Sequence, residues 1–446
     1  MKRIISIILA ATLLAAAIPL PASAADISAY LPKKCCHRHG WDIFRYSAGA
    51  GEFLERGLRG WDDSLGSKLA SFGTTLLYCL LWPGAKLVHW VRGWFDDKTE
   101  HTEPATVGAI RWDAWYGTGE GNERDVCNMV AKGLSRPEFH WRVPFFGSIA
   151  EDGKVSFPEF SQEIFDKEME YAIAAGLDYF AYWWVYDTAG MGTAARYHAE
   201  SKYNTQVKMC AILGGREGLR EDVQKQIKEM IGQDYWQTVL DGRPLMYYFF
   251  VDDTVGQSIA AFREICAELG IPAPYAVLMG VGEEMLRKSG ADALSAYGVA
   301  GGRGMDYASF TCAARREWSR VGTDIPFIPT WSAGYNELPR HYTPMVWQDK
   351  PPGLDCYAQD GTPEEIASML ASALQFTKTN PKRTQANTVI GYAWNEHDEG
   401  GWLCPTIQVD SKETGVPLKN ADGTFQIDDA RVKALGKLMA DYKGGY

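Results

Sequence analysis

The sequence predicts an α/β fold, a (β/α)8 TIM barrel with an extra helical segment at its N-terminus, on three observations. From about residue 105 onward, short runs rich in β-forming residues alternate with longer helical patterns. Eight such runs occur, the number a closed parallel barrel needs. No glycine-rich phosphate loop follows the first run, as it would in many open, doubly wound sheets. A barrel of this kind takes ~250 residues or more, so 446 residues accommodate one with insertions.

In order, the expected strands are Val107 to Trp115, Asp178 to Trp184, Gln206 to Leu213 and Pro244 to Phe250, then Tyr275 to Met279, Ala293 to Tyr297, Ile325 to Trp331 and Thr388 to Trp394. The second follows an amphipathic stretch, Glu163 to Ala175, that Gly176 ends. The fourth follows the turn Asp241-Gly242. Helices Glu283 to Lys288 and Pro363 to Thr377 precede the sixth and eighth strands, and a closing helix runs from about Asp428 to Tyr442. Asp152-Gly153-Lys154 reads as the turn of a small hairpin inside the first connection.

Residues 1–24 have the pattern of an export signal. Lys2 and Arg3 supply the positive start, Ile4 to Leu14 the apolar run, and Ala22-Ser23-Ala24 a small-residue cleavage site before Ala25. A secreted protein, periplasmic or extracellular, is the expectation. Cleavage takes the formal charge from −11 to −13, and an acidic chain with no basic stripe excludes a nucleic-acid partner on charge grounds. Residues 25–104 form the expected helical extension and linker. Leu69 to Ala85 is uncharged, which suits a packed helical hairpin; a membrane-surface segment over residues 69–95, flanked by Lys86 and Arg92, is the weaker alternative. Cys35-Cys36-His37-Arg38-His39 brings soft ligands together, but its spacing matches no standard zinc pattern, so no metal site is expected. The nine Cys are scattered, and an odd count leaves a thiol unpaired in a monomer.

Barrel enzymes work at the carboxyl ends of their strands. Those ends carry Asp113, Trp115 and Tyr116 on the first strand, and Tyr182, Trp183 and Trp184 on the second. Asp252 follows the fourth and Tyr297 ends the sixth. Trp331, Tyr335 and Asn336 stand at and beyond the seventh, and Trp394, Asn395, His397 and Trp402 around the eighth. Among them Glu396, Asp398 and Glu399 crowd three acids into four positions, with Gly400 and Gly401 following. Paired carboxyl groups and aromatic faces are what glycoside cleavage needs: proton transfer around the bond, and surfaces that stack on sugar rings. The abundance of such rings (16 Trp, 22 Tyr and 18 Phe) also fits a Trp-rich core. Crowding raises a carboxyl pKa by like-charge repulsion, which keeps one acid protonated near neutrality. Carboxylates and His are also metal ligands, and Asp252-Asp253 also reads as a helix cap.

The segment TVIGYAWNEHDEGGWLCPT, Thr388 to Thr406, resembles the last-strand motif of glycoside hydrolase family 99 and its relatives, which include O-antigen-cluster proteins described as glycosyltransferases. That motif reads approximately N-E-W-x-E-G with a Pro after it. Asn395, Glu396, Glu399, Gly400 and Pro405 match it, and His397 stands where Trp is usual. Ala109 to Gly117, GLDYFAYWW from Gly176, DGRPLMYYF from Asp241, GADALSAYG from Gly290 and IPTWSAGYNELPR from Ile328 agree in order, so the resemblance spans about Thr106 to Tyr442. It implies a barrel acting on an oligo- or polysaccharide substrate with α-linked, mannose-type residues and retaining the anomeric configuration. It implies Glu396 as a base that helps the sugar's own 2-hydroxyl attack the anomeric carbon, Glu399 as the acid on the leaving group, and no metal or organic cofactor. The remaining residues named above then become substrate-binding candidates. The alternatives are a glycan-binding protein without catalysis on the same barrel, and a glycosyltransferase-like glycan-processing protein. The last conflicts with export, because nucleotide sugars are cytosolic. N-terminal sequencing of the exported protein should begin at Ala25; a product still starting at Met1 would remove the secretion reading.

Overall fold

The structure is a computed structural model that describes residues 27–32, 100–113, 115, 126–184, 193–299, 301–322 and 324–446. The signal segment, the cysteine-histidine cluster at 35–39, residues 69–95 and Tyr116 lie outside the described residues.

Eight parallel strands form the centre of the described chain. They are β1 (Thr106–Arg111), β2 (Tyr179–Trp183), β3 (Lys208–Leu213), β4 (Arg243–Tyr248), β5 (Tyr275–Met279), β6 (Ala293–Ser295), β7 (Thr330–Ser332) and β8 (Thr388–Tyr392). Each pairs with its predecessor from β1 to β6, β7 pairs with β8, and β8 pairs with β1 through Thr106–Thr388 and the next three residue pairs. The remaining gap, between β6 and β7, is bridged at Leu294 and Phe327. The sheet is a closed barrel, as the alternation of patterns in the sequence predicts.

Helices fill the connections: α1 (Val126–Leu134) and α2 (Gln162–Ala174) after β1, α3 (Thr193–Glu200) after β2, α4 (Glu221–Met230) after β3, α5 (Val255–Glu268) after β4, and α6 (Glu283–Ser289) after β5. Then come α7 (Tyr307–Arg320) after β6, α8 (Leu338–Tyr342) and α9 (Pro363–Thr379) after β7, and α10 (Ala430–Lys443) after β8. Local chemistry sets several boundaries. At α9 the Thr362 side chain accepts from Glu365 N while Glu365 returns a bond to Thr362 N, and Pro363 begins the helix where no N–H is needed. Gly290, at φ +71°, closes α6. The expected hairpin forms from Ser148–Ile149 and Val155–Ser156, with Gly153 at φ +83° in its turn.

Two strands are shorter than the sequence suggests. The first ends at Arg111, because Trp112 N donates to the Asn395 side chain and leaves the ladder. The seventh keeps three ladder residues of the expected seven-residue run; Pro326 and Pro329 have no N–H to give, so the β6 edge is met only by Leu294 N to Pro326 O and Ile328 N to Leu294 O.

Residues paired across parallel strands point the same way, so register sorts the barrel into an inner and an outer set. Gly108 pairs with Tyr179 and is the gap that lets the Tyr179 ring cross the barrel interior. There the Tyr179 hydroxyl lies 2.9 Å from Tyr247 Oη and 3.1 Å from Thr388 Oγ1. A Cβ at residue 108 would overlap that ring. Gly108→Ala should therefore destabilise the barrel by about 1–3 kcal/mol through overpacking, read as a lower urea midpoint at unchanged slope; an unchanged midpoint would refute this packing.

Candidate active site

Following the inner set to the carboxyl ends of the strands gives Trp183 on β2, Phe249 just past β4, Tyr297 just past β6, and Tyr392 on β8. The rings of Phe249 and Tyr297 stack with centroids 4.4 Å apart and planes 14° apart, and Trp183 meets both edge-on. Two of these tyrosines reach the acids. Tyr297 Oη donates to Glu396 Oε1 at 2.9 Å, and Tyr392 Oη donates to Glu399 Oε2.

The acids lie on a short hairpin in which Asn395 pairs with Trp402 and Glu396 with Gly401. Its two glycines allow close approach rather than flexibility. Gly400 sits at φ +80°, with the Asn336 backbone against the space a Cβ would take, and a Cβ at Gly401 would strike the Tyr392 ring. Asn336 N also donates to Glu399 O, so the hairpin is clamped to the β7–β8 connection.

A single guanidinium gathers the carboxylates. Arg340, on α8, donates from Nε to Asp398 Oδ2 at 2.5 Å and from Nη1 to Glu399, and its Nη2 lies 3.8 Å from Glu396 Oε2. Its charge also lies over the Trp112 ring, 5.0 Å from the centroid. The positive centre on which the acids converge is thus an arginine. Among the described residues, no group of three or more His, Cys, Asp or Glu side chains is placed to hold a metal ion.

The two glutamates stand in different environments. Glu396 is buried, and burial pushes its carboxyl up to about 8, with the charge of Asp398 adding to the rise and Arg340 opposing it. Crowding therefore contributes less than desolvation does. Glu399 is partly exposed and is paired directly with Arg340. The hairpin turns His397 away from its neighbours. Its Nδ1 donates to Arg142 O at 2.6 Å, and its ring stacks on Trp402 and meets Trp115 edge-on. Burial lowers it to about 3, so it is neutral.

The other candidates divide by strand parity and burial. Trp183 and Tyr297 join the acid site. Tyr182 and Trp184 fall on the outer face: the Tyr182 hydroxyl meets His198 Nδ1 of α3 at 2.7 Å, and Trp184 Nε1 donates to Gln226 of α4. Trp331 also faces outward, covering Gly391. Trp394 donates to Glu168 of α2. Trp115 is buried against Phe146 and Phe157, and Trp402 between His397, Trp141 and Arg431. These five tryptophans are packing residues, each with one hydrophobic payload and a buried ring.

Asp113 and Asn395 form a brace behind the acids. Asn395 accepts from Trp112 N at 2.8 Å and donates to Asp113 Oδ1, which also takes Arg111 Nε at 2.7 Å. Arg111 continues to Glu168 at 2.7 Å. Burial raises Asp113 to about 7 against the pull of Arg111. Asn336 holds the start of α8 through Leu338 N as well as the Glu399 backbone. Tyr335 is half-buried, its hydroxyl 3.5 Å from Cys356 Sγ. Asp252 accepts from Thr254 N and Oγ1 in the turn before α5 and meets Arg216 at 3.1 Å, which is the capping alternative rather than a place beside the acids.

Three contributors escaped the sequence reading: Arg340, Tyr392 and Phe249. Tyr392 and Phe249 follow from period-two counting once any inner residue is known. Arg340 has no local signal, because it meets the acids from a different connection. Beyond Phe249, Phe250 is 71% exposed at φ +50°, and Trp347, edge-on to Trp112, is 52% exposed, so exposed rings stand on both flanks of the acids.

No family model matches the chain, and no curated protein does. Two solved structures of a glycoside hydrolase family 99 endo-α-mannosidase from Bacteroides thetaiotaomicron are similar to it, at 14% and 13% identity, a TM-score of 0.45, and coverage of 77% of this chain and 99% of theirs. A family 29 fucosidase from Ruminococcus gnavus is also similar, at 10% identity and a TM-score of 0.29, over 77% of this chain and 70% of its own. The function has to be argued from the site itself.

The raised Glu396 carboxyl carries a sign. Its proton is held more tightly folded than unfolded, so the stability this contributes is full below about 4.5 and is lost as pH rises through about 8. Glu396→Gln cannot ionise. Its melting temperature should gain on the wild type progressively between pH 5 and 8, and a pH-independent difference would show that Glu396 is not held protonated.

Proposed function

We propose that the protein is an exported glycoside hydrolase in which Glu396 and Glu399 are the proton-transferring pair. The observation that carries this reading is their division of state around one arginine: a buried carboxyl that keeps its proton near neutrality, beside a carboxylate held ionised by Arg340. Cleaving a glycosidic bond needs both a donor and an acceptor of protons within one site. Exposed aromatic rings flank the pair and suit the apolar faces of sugars.

The resting charges favour Glu396 as the proton donor to the departing oxygen and Glu399 as the acceptor that activates the attacking hydroxyl. This is the reverse of the order implied by the strand-eight resemblance. That attacking group is the substrate's 2-hydroxyl in a retaining reaction. Proximity favours such an internal nucleophile, because no second molecule has to be brought in. α-Linked mannose-type glycans are the substrates to try first, on the strength of the motif at Asn395 to Gly400.

Glu396→Gln and Glu399→Gln should each lower turnover of a natural glycan by about 10²-fold or more, since each removes a proton transfer. On an aryl glycoside with an acidic leaving group, Glu396→Gln should recover much of its rate and Glu399→Gln should not. Recovery in the other variant would restore the order from the resemblance. Near wild-type turnover in both, with folding intact, would end the hydrolase reading, and glycan binding without any product would support the non-catalytic alternative.

A further inference from the structure

We propose that Arg340 is a positioning residue for Glu396, holding one N–H group in reserve for the carboxylate that forms there when the proton leaves. The proposal rests on the hydrolase reading above but stands on its own geometry. Arg340 is buried, and two of its three nitrogens are occupied: Nε by Asp398 and Nη1 by Glu399. Its Nη2 is buried with no hydrogen-bond partner and lies 3.8 Å from Glu396 Oε2. A guanidinium is a rigid planar fork, so fixing two nitrogens fixes the third. The spare donor thus faces one oxygen of Glu396, while Tyr297 occupies the other.

A protonated Glu396 has little use for that donor. When its proton passes to the glycosidic oxygen, the carbon–oxygen bond breaks with its electron pair going to that oxygen, and Glu396 is left ionised. A small closing movement then makes the missing N–H to carboxylate bond. The interaction is stronger after proton transfer than before, which is the condition for lowering the barrier rather than merely binding. Had Glu396 served first as a base, the same donor would favour its ionised starting form.

The groups around Glu396 come from four elements. Arg340 lies on α8, Glu337 just before it, Asp398 on the acid hairpin, Tyr297 past β6, and Tyr392 on β8. Asp398 and Glu337 disfavour the charge on Glu396, and Arg340 is the cation among them. Removing it should make Glu396 hold its proton to higher pH.

The test uses Arg340→Met and Arg340→Lys in the full chain. The carbonyl stretch of protonated Glu396, identified by its absence from Glu396→Gln, is titrated by difference infrared spectroscopy. In Arg340→Met its midpoint should move up, the alkaline limb of kcat/KM should move with it, and kcat should fall roughly 100-fold with a smaller change in KM. Arg340→Lys keeps the charge without the fork, so its midpoint should fall between those of wild type and Met. A folded Met variant with an unmoved midpoint and limb overturns the proposal. Should the Met variant not fold, a Lys variant with wild-type midpoint and rate overturns it instead. A shifted infrared midpoint in a protein that cleaves no glycan would support the coupling while sinking the hydrolase reading, so the two failures are distinguishable.

Discussion

The contact between Arg340 and the acid hairpin is the constraint on which the site depends. Three carboxyl groups within four residues would repel one another and resist burial, and a buried carboxylate without a partner is strongly destabilising. The guanidinium resolves this by binding Asp398 and Glu399 directly and leaving Glu396 to the neutral form. The remaining features of the loop serve that geometry. Gly400 and Gly401 bring the hairpin close to Asn336 and Tyr392, and His397 turns into an aromatic pocket on the far side. The residue between the acids therefore acts on the support of the hairpin, and its ring is not a wall of the site.

The barrel was legible because hydrophobic period and turn chemistry are local signals. β5 has the expected bounds, and β3, β4 and α9 differ from expectation by a residue or two. The acid pair was legible because the charged cluster directly follows an apolar strand. The lining of the site was less so, and for a definite reason. Proximity to a strand end does not say which face a side chain takes, whereas parity does. Tyr182, Trp183 and Trp184 are consecutive, yet only Trp183 turns inward. Arg340 is a tertiary partner supplied by a separate connection, and no window of sequence around the acids contains it.

The aromatic wealth of the chain divides between two tasks. Most of the tryptophans chosen as sugar platforms are structural, each spending its apolar area in the layer between strands and helices. The layer also buries ions: Arg111 is held between Asp113 and Glu168, with Trp394 bonded to the same glutamate. This arrangement joins the end of β1, the helix α2 and the end of β8, so the acid hairpin rests on a fixed base. Phe249, Phe250 and Trp347 illustrate the other task, with rings that reach from the acids toward solvent on either flank.

The seam between the first and last strands has a consequence for how the protein is made. Asp113 and Asn395 stand 282 residues apart in sequence, and the bond between them belongs to the same junction that supports the acids. Loop closure over so long a span comes late, because its entropic cost must be met before the contact is gained. A chain emerging from the ribosome cannot complete that junction until its last strand has been synthesised. Truncated or stalled chains would thus lack the catalytic arrangement altogether, and activity would report on completed synthesis in an all-or-none manner.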